Sequence, residues 1–109
     1  MRTKSTGAIS SKSLALLESI SGKKLTMGNF LWSIRECEEE SLTAFAEKLG
    51  VSRQYLSDLE HGRRGLSPKM ARQFAKLLGY PEKQFVRLSL QDQLDRQGVN
   101  LFVDIKDAA

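Results

Sequence analysis

Cysteine and histidine are almost missing from this chain, which holds one of each, Cys37 and His61. One cysteine cannot close an intrachain disulfide, and no His/Cys cluster has the spacing of metal ligands, so neither a disulfide scaffold nor a zinc module is expected. Such cysteine usage fits a reducing cytoplasm. Long apolar runs are missing too. Near the N-terminus Leu14-Ala15-Leu16-Leu17 meets Glu18, too short for a signal-peptide core or a membrane span. No phosphate-cradling glycine loop, no paired carboxylates in a pocket context and no nucleophile–histidine arrangement can be found, so an enzyme is not expected and no cofactor or metal is called for. Gly62 and Gly65 read as turn residues only.

What is present is ordinary for a small globular domain: 109 residues, 40% hydrophobic and 28% charged. That suits one domain with extensions. A core of this size is modest, and pairing into a dimer would help it. The formal net charge is +4, which suits a polyanionic partner without identifying one.

The stretch from Ser41 to Gly62 organises the rest. Ser41 can cap a first helix through its hydroxyl. Phe45, Ala46 and Leu49 form that helix's inner face, and Gly50 is a stop that only glycine enters without steric cost. Val51 plugs the corner, Ser52 caps a second helix, and Leu56 and Leu59 give it a buried stripe. Opposite the stripe lie Arg53, Gln54, Ser57 and Asp58, all able to meet base edges or phosphates.

This stretch resembles the Cro/C1-type (XRE-like) helix-turn-helix regulators. The resemblance rests on Ala46, Gly50, Val51-Ser52 and the ending Leu59-Glu60-His61-Gly62, and covers about residues 26–79. It implies an arginine in the preceding helix paired with the glutamate that ends the recognition helix, here Arg35 and Glu60. Two positions depart from the pattern. The helix after Ser41 commonly begins with glutamine in these regulators and here has Leu42, which puts an expected phosphate clamp in question. Leu66 stands after Gly65 where a proline often precedes the fourth helix, which predicts a looser loop.

Around this motif the chain divides into residues 1–25, 26–79 and 80–109. The first twelve residues read as a basic arm, either tracking a groove or simply solvated. Ser13 to Ser21 suggests a short amphipathic helix. Helix 1 of the domain is expected from about Gly28 to Glu38, with Met27, Leu31 and Ile34 inward and Cys37 half-buried. Trp32 falls off that stripe and either packs on the N-terminal segment or marks an interface. Glu36, Glu38, Glu39 and Glu40 make an acidic, solvated run. After Gly62, Arg63 and Arg64 form a basic corner that can approach phosphates. Ser67 and Pro68 open a fourth helix with Met70, Phe74, Leu77 and Leu78 inward and Lys69 nearest the loop, able to touch a DNA backbone. Tyr80-Pro81 opens a fifth, in which Val86, Leu90 and Leu94 are spaced by four. From Asn100 to Lys106 the residues alternate, with Leu101, Val103 and Ile105 on one face and Phe102 the exception, which predicts a strand. A lone strand needs a neighbour, so it would join a symmetry mate or a partner's sheet, or else fray.

The expected fold is therefore all-α: a five-helix Cro/C1-type helix-turn-helix domain with a short N-terminal helix and a C-terminal β-strand extension. The function most consistent with it is a sequence-specific DNA-binding transcriptional regulator, a repressor reading the major groove as a homodimer on an inverted repeat. The DNA-binding candidates are Ser52, Arg53, Gln54, Tyr55, Ser57, Asp58, Arg63, Arg64 and Lys69. Arg53 can fork onto guanine and Gln54 can pair with adenine, or either can hold phosphate. Tyr55 packs inward or reaches phosphate, and His61 satisfies helix-end carbonyls. Val86, Leu90, Leu94, Leu101, Val103 and Ile105 are the candidate dimer or partner contacts. Small regulators of this type with extra terminal segments resemble the antitoxins of toxin–antitoxin operons, which implies a cognate toxin as a further partner. The alternative is a helix-turn-helix interaction module without specific DNA binding. The expected location is cytoplasmic, with no membrane contact.

Overall fold

The computed structural model describes residues 25–108, and most of them lie in five helices: α1 (Met27–Cys37), α2 (Leu42–Leu49), α3 (Arg53–Glu60), α4 (Pro68–Leu78) and α5 (Glu82–Arg96). Local chemistry sets the starts of α1 to α4. Thr26, Ser41, Ser52 and Ser67 each turn a hydroxyl oxygen onto the backbone N–H three residues on, at 3.0–3.1 Å, which satisfies donors the first helical turn leaves free. Pro68 occupies the first turn of α4, where its missing N–H costs nothing. Gly50 ends α2 in the left-handed region at φ 74°, and Val51 N–H then donates back to the Ala46 carbonyl at 3.0 Å.

The helices enclose one core. Met27, Phe30, Leu31 and Ile34 of α1 are buried, as are Phe45, Ala46 and Leu49 of α2 and Leu56 and Leu59 of α3. α4 packs chiefly against α5, while α1 touches both α3 and α5. An aromatic trio joins these halves: the Phe30 ring lies 5.1 Å from Phe85 and 6.0 Å from Tyr80, both edge-on. Burial lifts the Tyr80 phenol above its ordinary range.

α1 crosses α3 at Gly28. A Cβ there would meet the Leu59 carbonyl oxygen at 2.5 Å and the Glu60 carbonyl oxygen at 2.9 Å. The obstacles are backbone atoms, so only glycine permits this approach, and the approach places the end of α3. The same end of α1 is also held by α5, whose Asp92 accepts from the Met27 N–H at 3.1 Å beside the Thr26 cap.

The C-terminal strand is not formed. Residues after Gln97 and up to 108 carry no regular structure, and there is no strand among the described residues. The segment is nonetheless held. The side-chain amide of Gln91, 1% exposed, donates to the Leu101 carbonyl at 2.8 Å and accepts from the Val103 N–H at 2.8 Å. Further on, Lys83 meets Asp107 at 3.3 Å. The tail therefore runs back along α5. Its alternation of apolar and polar residues reports two faces of an extended chain, and its backbone groups find a glutamine side chain instead of a neighbouring strand. The all-α expectation stands, and the β-strand extension does not.

Smaller differences have similar causes. Cys37 is exposed, because the last turn of α1 rises out of the core. Leu77 is 56% exposed, since the buried face of α4 is Ala71, Phe74 and Ala75, with Met70 and Leu78 at its margins. Leu66 is buried at 3%, so it pins the loop before α4 where a looser one was expected. The short helix expected over Ser13–Ser21, with the basic arm before it, lies outside the described residues.

Candidate nucleic-acid interface

α2, the turn at Gly50 and α3 present a short helix with one face buried and one free. Leu56 and Leu59 anchor α3, at 0% and 2% exposure. Arg53 and Gln54, its first two residues, are exposed, and Ser57 and Asp58 lie half-exposed one turn on. The free side chains form a connected row. Gln54 Nε2 donates to Asp58 Oδ1 at 2.9 Å. Arg63 Nε donates to the same oxygen at 2.9 Å, and Arg63 Nη2 lies 3.4 Å from Ser57 Oγ. The Arg63 hydrogen bond holds the Asp58 carboxyl below the usual carboxylate range, partial desolvation opposes it, and the Gln54 bond adds to it.

Arg64 lies over the Tyr55 ring, its guanidinium carbon 4.1 Å from the ring centroid. Tyr55 is half-buried, so it packs inward and holds Arg64 on the outer surface. Lys69 is exposed at the start of α4. His61 Nδ1 sits 2.8 Å from the Ser57 carbonyl oxygen, where it serves the end of α3. Ser52 caps α3 and remains exposed, so its hydroxyl is at the tip of the helix.

The orientation of α3 is held from behind. Arg35 Nε meets Glu60 Oε2 at 2.9 Å and Arg35 Nη2 meets Glu60 Oε1 at 3.0 Å, a forked pair. The side chains are only 15% and 3% exposed. Arg35 Nη1 also donates to the Glu40 carbonyl at 3.1 Å. The hydrogen bond to Glu60 raises the basicity of Arg35 above its usual range, against the desolvation that lowers it.

Sequence reasoning missed the supports supplied by α5. Arg96 Nη2 donates to the Gly62 carbonyl at 3.0 Å, holding the turn that follows α3. Asp92 and Gln91 hold the start of α1 and the tail. Each bond joins residues distant in sequence or held by a tail with no motif, so no local spacing announces them. The dimer or partner candidates Val86, Leu90 and Leu94 are half-buried on α5, Val103 and Ile105 are half-buried in the tail, and Leu101 is 64% exposed.

A short helix whose free face carries arginine, glutamine and serine, set on a tight glycine turn and flanked by a basic loop, defines a helix-turn-helix DNA-binding unit. Residues 35–85 match the helix-turn-helix family HTH_3. This part of the chain is similar to that family, which supports a DNA-binding transcription regulator of the Cro/C1, XRE-like type. The match takes in the Arg35–Glu60 pair, all of α2 to α4 and the start of α5. Comparison with curated proteins gave no match. Among the described residues no helix is long and apolar enough to cross a membrane, and no group of three His, Cys, Asp or Glu residues could hold a metal ion.

Proposed function

We propose that the protein reads a specific DNA sequence by inserting α3 into the major groove, that it does so as a homodimer on an inverted repeat, and that it represses the promoter it covers. The observation that carries this reading is the exposed face of α3, where Arg53, Gln54 and Ser57 stand together with no core role. A major groove admits one helix and offers a distinct donor and acceptor pattern for each base pair. Arg53 and Gln54, at the leading end, read base edges. Ser52, Arg63, Arg64 and Lys69 hold the phosphates on either side, with Tyr55 acting through Arg64.

One module makes few base contacts, and two-fold pairing doubles them. The dimer surface is α5 and the tail, where Val99, Leu101 and Phe102 expose apolar surface at 37%, 64% and 83%. An antitoxin role is the narrower form of the same reading. In it the tail, or the segment Leu14–Ile20 outside the described residues, grips a toxin. Co-purification with the product of an adjacent gene, lost on deleting one of those segments, supports that form. Work on DNA places the protein in the cytoplasm.

The test is selection of bound duplexes from a random library, followed by affinity against salt. Enrichment of an inverted repeat, with half-site centres about one DNA turn apart, supports specific reading by a dimer. Arg53→Ala with Gln54→Ala should erase the preference while the fold stays intact. Weak binding that enriches nothing and vanishes with salt means phosphate attraction alone, and the interaction-module reading then takes its place.

A further inference from the structure

The row Gln54–Asp58–Arg63 constrains which bases α3 can accept. A side-chain amide has two ends, a carbonyl oxygen that accepts and an NH2 that donates. An ionised carboxylate only accepts, so the end of Gln54 that faces Asp58 must be the NH2. Gln54 Nε2 meets Asp58 Oδ1 at 2.9 Å, and Arg63 Nε meets the same oxygen at 2.9 Å. The amide then offers the groove its carbonyl oxygen, which meets no donor among the described residues, and one remaining N–H. Adenine presents a donor at N6 and an acceptor at N7, which fits that pair. Guanine presents two acceptors, N7 and O6, and would set O6 against the glutamine carbonyl. An unrestrained glutamine escapes this conflict by turning its amide over and offering both N–H groups to guanine.

We propose that Asp58, held by Arg63, is a specificity-determining positioning residue that locks Gln54 in its adenine-reading orientation and excludes guanine at that base pair. The proposal rests on the groove-reading function given above. Arg63 has two parts in it. It fixes the carboxylate rotamer, and it offsets a negative charge that would otherwise meet the phosphates. Asp58 is an ionised acceptor throughout the neutral range, as an ordinary aspartate is, and the Arg63 hydrogen bond lowers its pKa further.

The experiment uses the full chain and the duplexes selected by the wild-type protein. The base pair at which Gln54→Ala loses preference is the one Gln54 reads. Duplexes with adenine or guanine there are compared for wild type, Asp58→Ala, Asp58→Asn and Arg63→Ala, with circular dichroism and melting temperature as folding controls. Asp58→Ala should lower the adenine-to-guanine preference at that pair about tenfold, the scale of one bidentate base contact, and leave other positions unchanged. An asparagine side chain can donate as well as accept, so Asp58→Asn should also relax the preference. Combined with Gln54→Ala, Asp58→Ala should remove nothing further at that pair. A uniform change in affinity with the preference intact would overturn the proposal, as would a Gln54-dependent pair that is not adenine. If the wild-type protein selects no sequence at all, the groove-reading function itself has failed, and the proposal falls with it.

Discussion

Removing the Arg35 guanidinium should damage this protein more than removing the exposed Arg53 of α3. The reason is what it leaves behind. The Glu60 side chain is 3% exposed, and both its oxygens are met by Arg35, at 2.9 and 3.0 Å. In Arg35→Ala the carboxylate must stay ionised without a partner, take up a proton, or drag the end of α3 towards water. Breaking a buried pair in this way costs about 3–5 kcal/mol. Loss of the Nη1 bond to the Glu40 carbonyl adds to it. Urea unfolding followed by circular dichroism reads the effect. With a slope of about 1.5 kcal/mol/M for a domain this small, the midpoint should fall by about 2–3 M. Replacing both partners with apolar residues of similar volume, as in Arg35→Met with Glu60→Leu, should recover most of the loss, because the pair's net worth is small once desolvation is counted. A midpoint shift below about 0.5 M for Arg35→Ala would refute the reasoning, since Glu60 would then be reaching water despite its burial.

Other perturbations separate the local from the tertiary supports. Gly50→Ala should cost about 1–2 kcal/mol from the left-handed backbone alone, because nothing lies within 4 Å of the new Cβ. Gly28→Ala should cost at least as much, about 2–3 kcal/mol, and should also weaken DNA binding, because its Cβ pushes on the carbonyls that end α3. Comparing melting temperature with DNA affinity for the two variants checks this contrast. Gln91→Ala should free the tail, read as faster amide hydrogen exchange at Val103, with the exchange of α2 and α3 unchanged. For Asp58 the folded pKa is depressed, so its contribution is present above the ordinary carboxylate value and is lost as pH falls through the lowered one. A carboxyl carbon titration should place its midpoint below that ordinary value, and Arg63→Ala should move it back up.

Much of the helix-turn-helix unit could be read directly from the residues, because it is built from local rules. A serine hydroxyl reaches the N–H three residues on, a glycine takes φ 74°, and leucines one turn apart share a face, whatever the rest of the chain does. Those rules place α2 and α3, and with them the face that carries Arg53, Gln54, Ser57 and Asp58. Elsewhere local pattern misleads. Alternation in the tail reads as a strand, yet alternation describes an extended chain and does not supply a neighbour. Its neighbour is Gln91, ten residues before Leu101, and no propensity encodes that choice.

The sequence by itself determined the starts of α2, α3 and α4, the corner at Gly50 and the candidate reading face, since each depends on groups within about one helical turn. Only the tertiary structure decided how that face is held: Gly28 against the Glu60 carbonyl, Arg96 on Gly62, Asp92 on Met27, and Gln91 on the tail. These contacts join residues as much as 65 positions apart, and they exist only once the core has closed and brought them together.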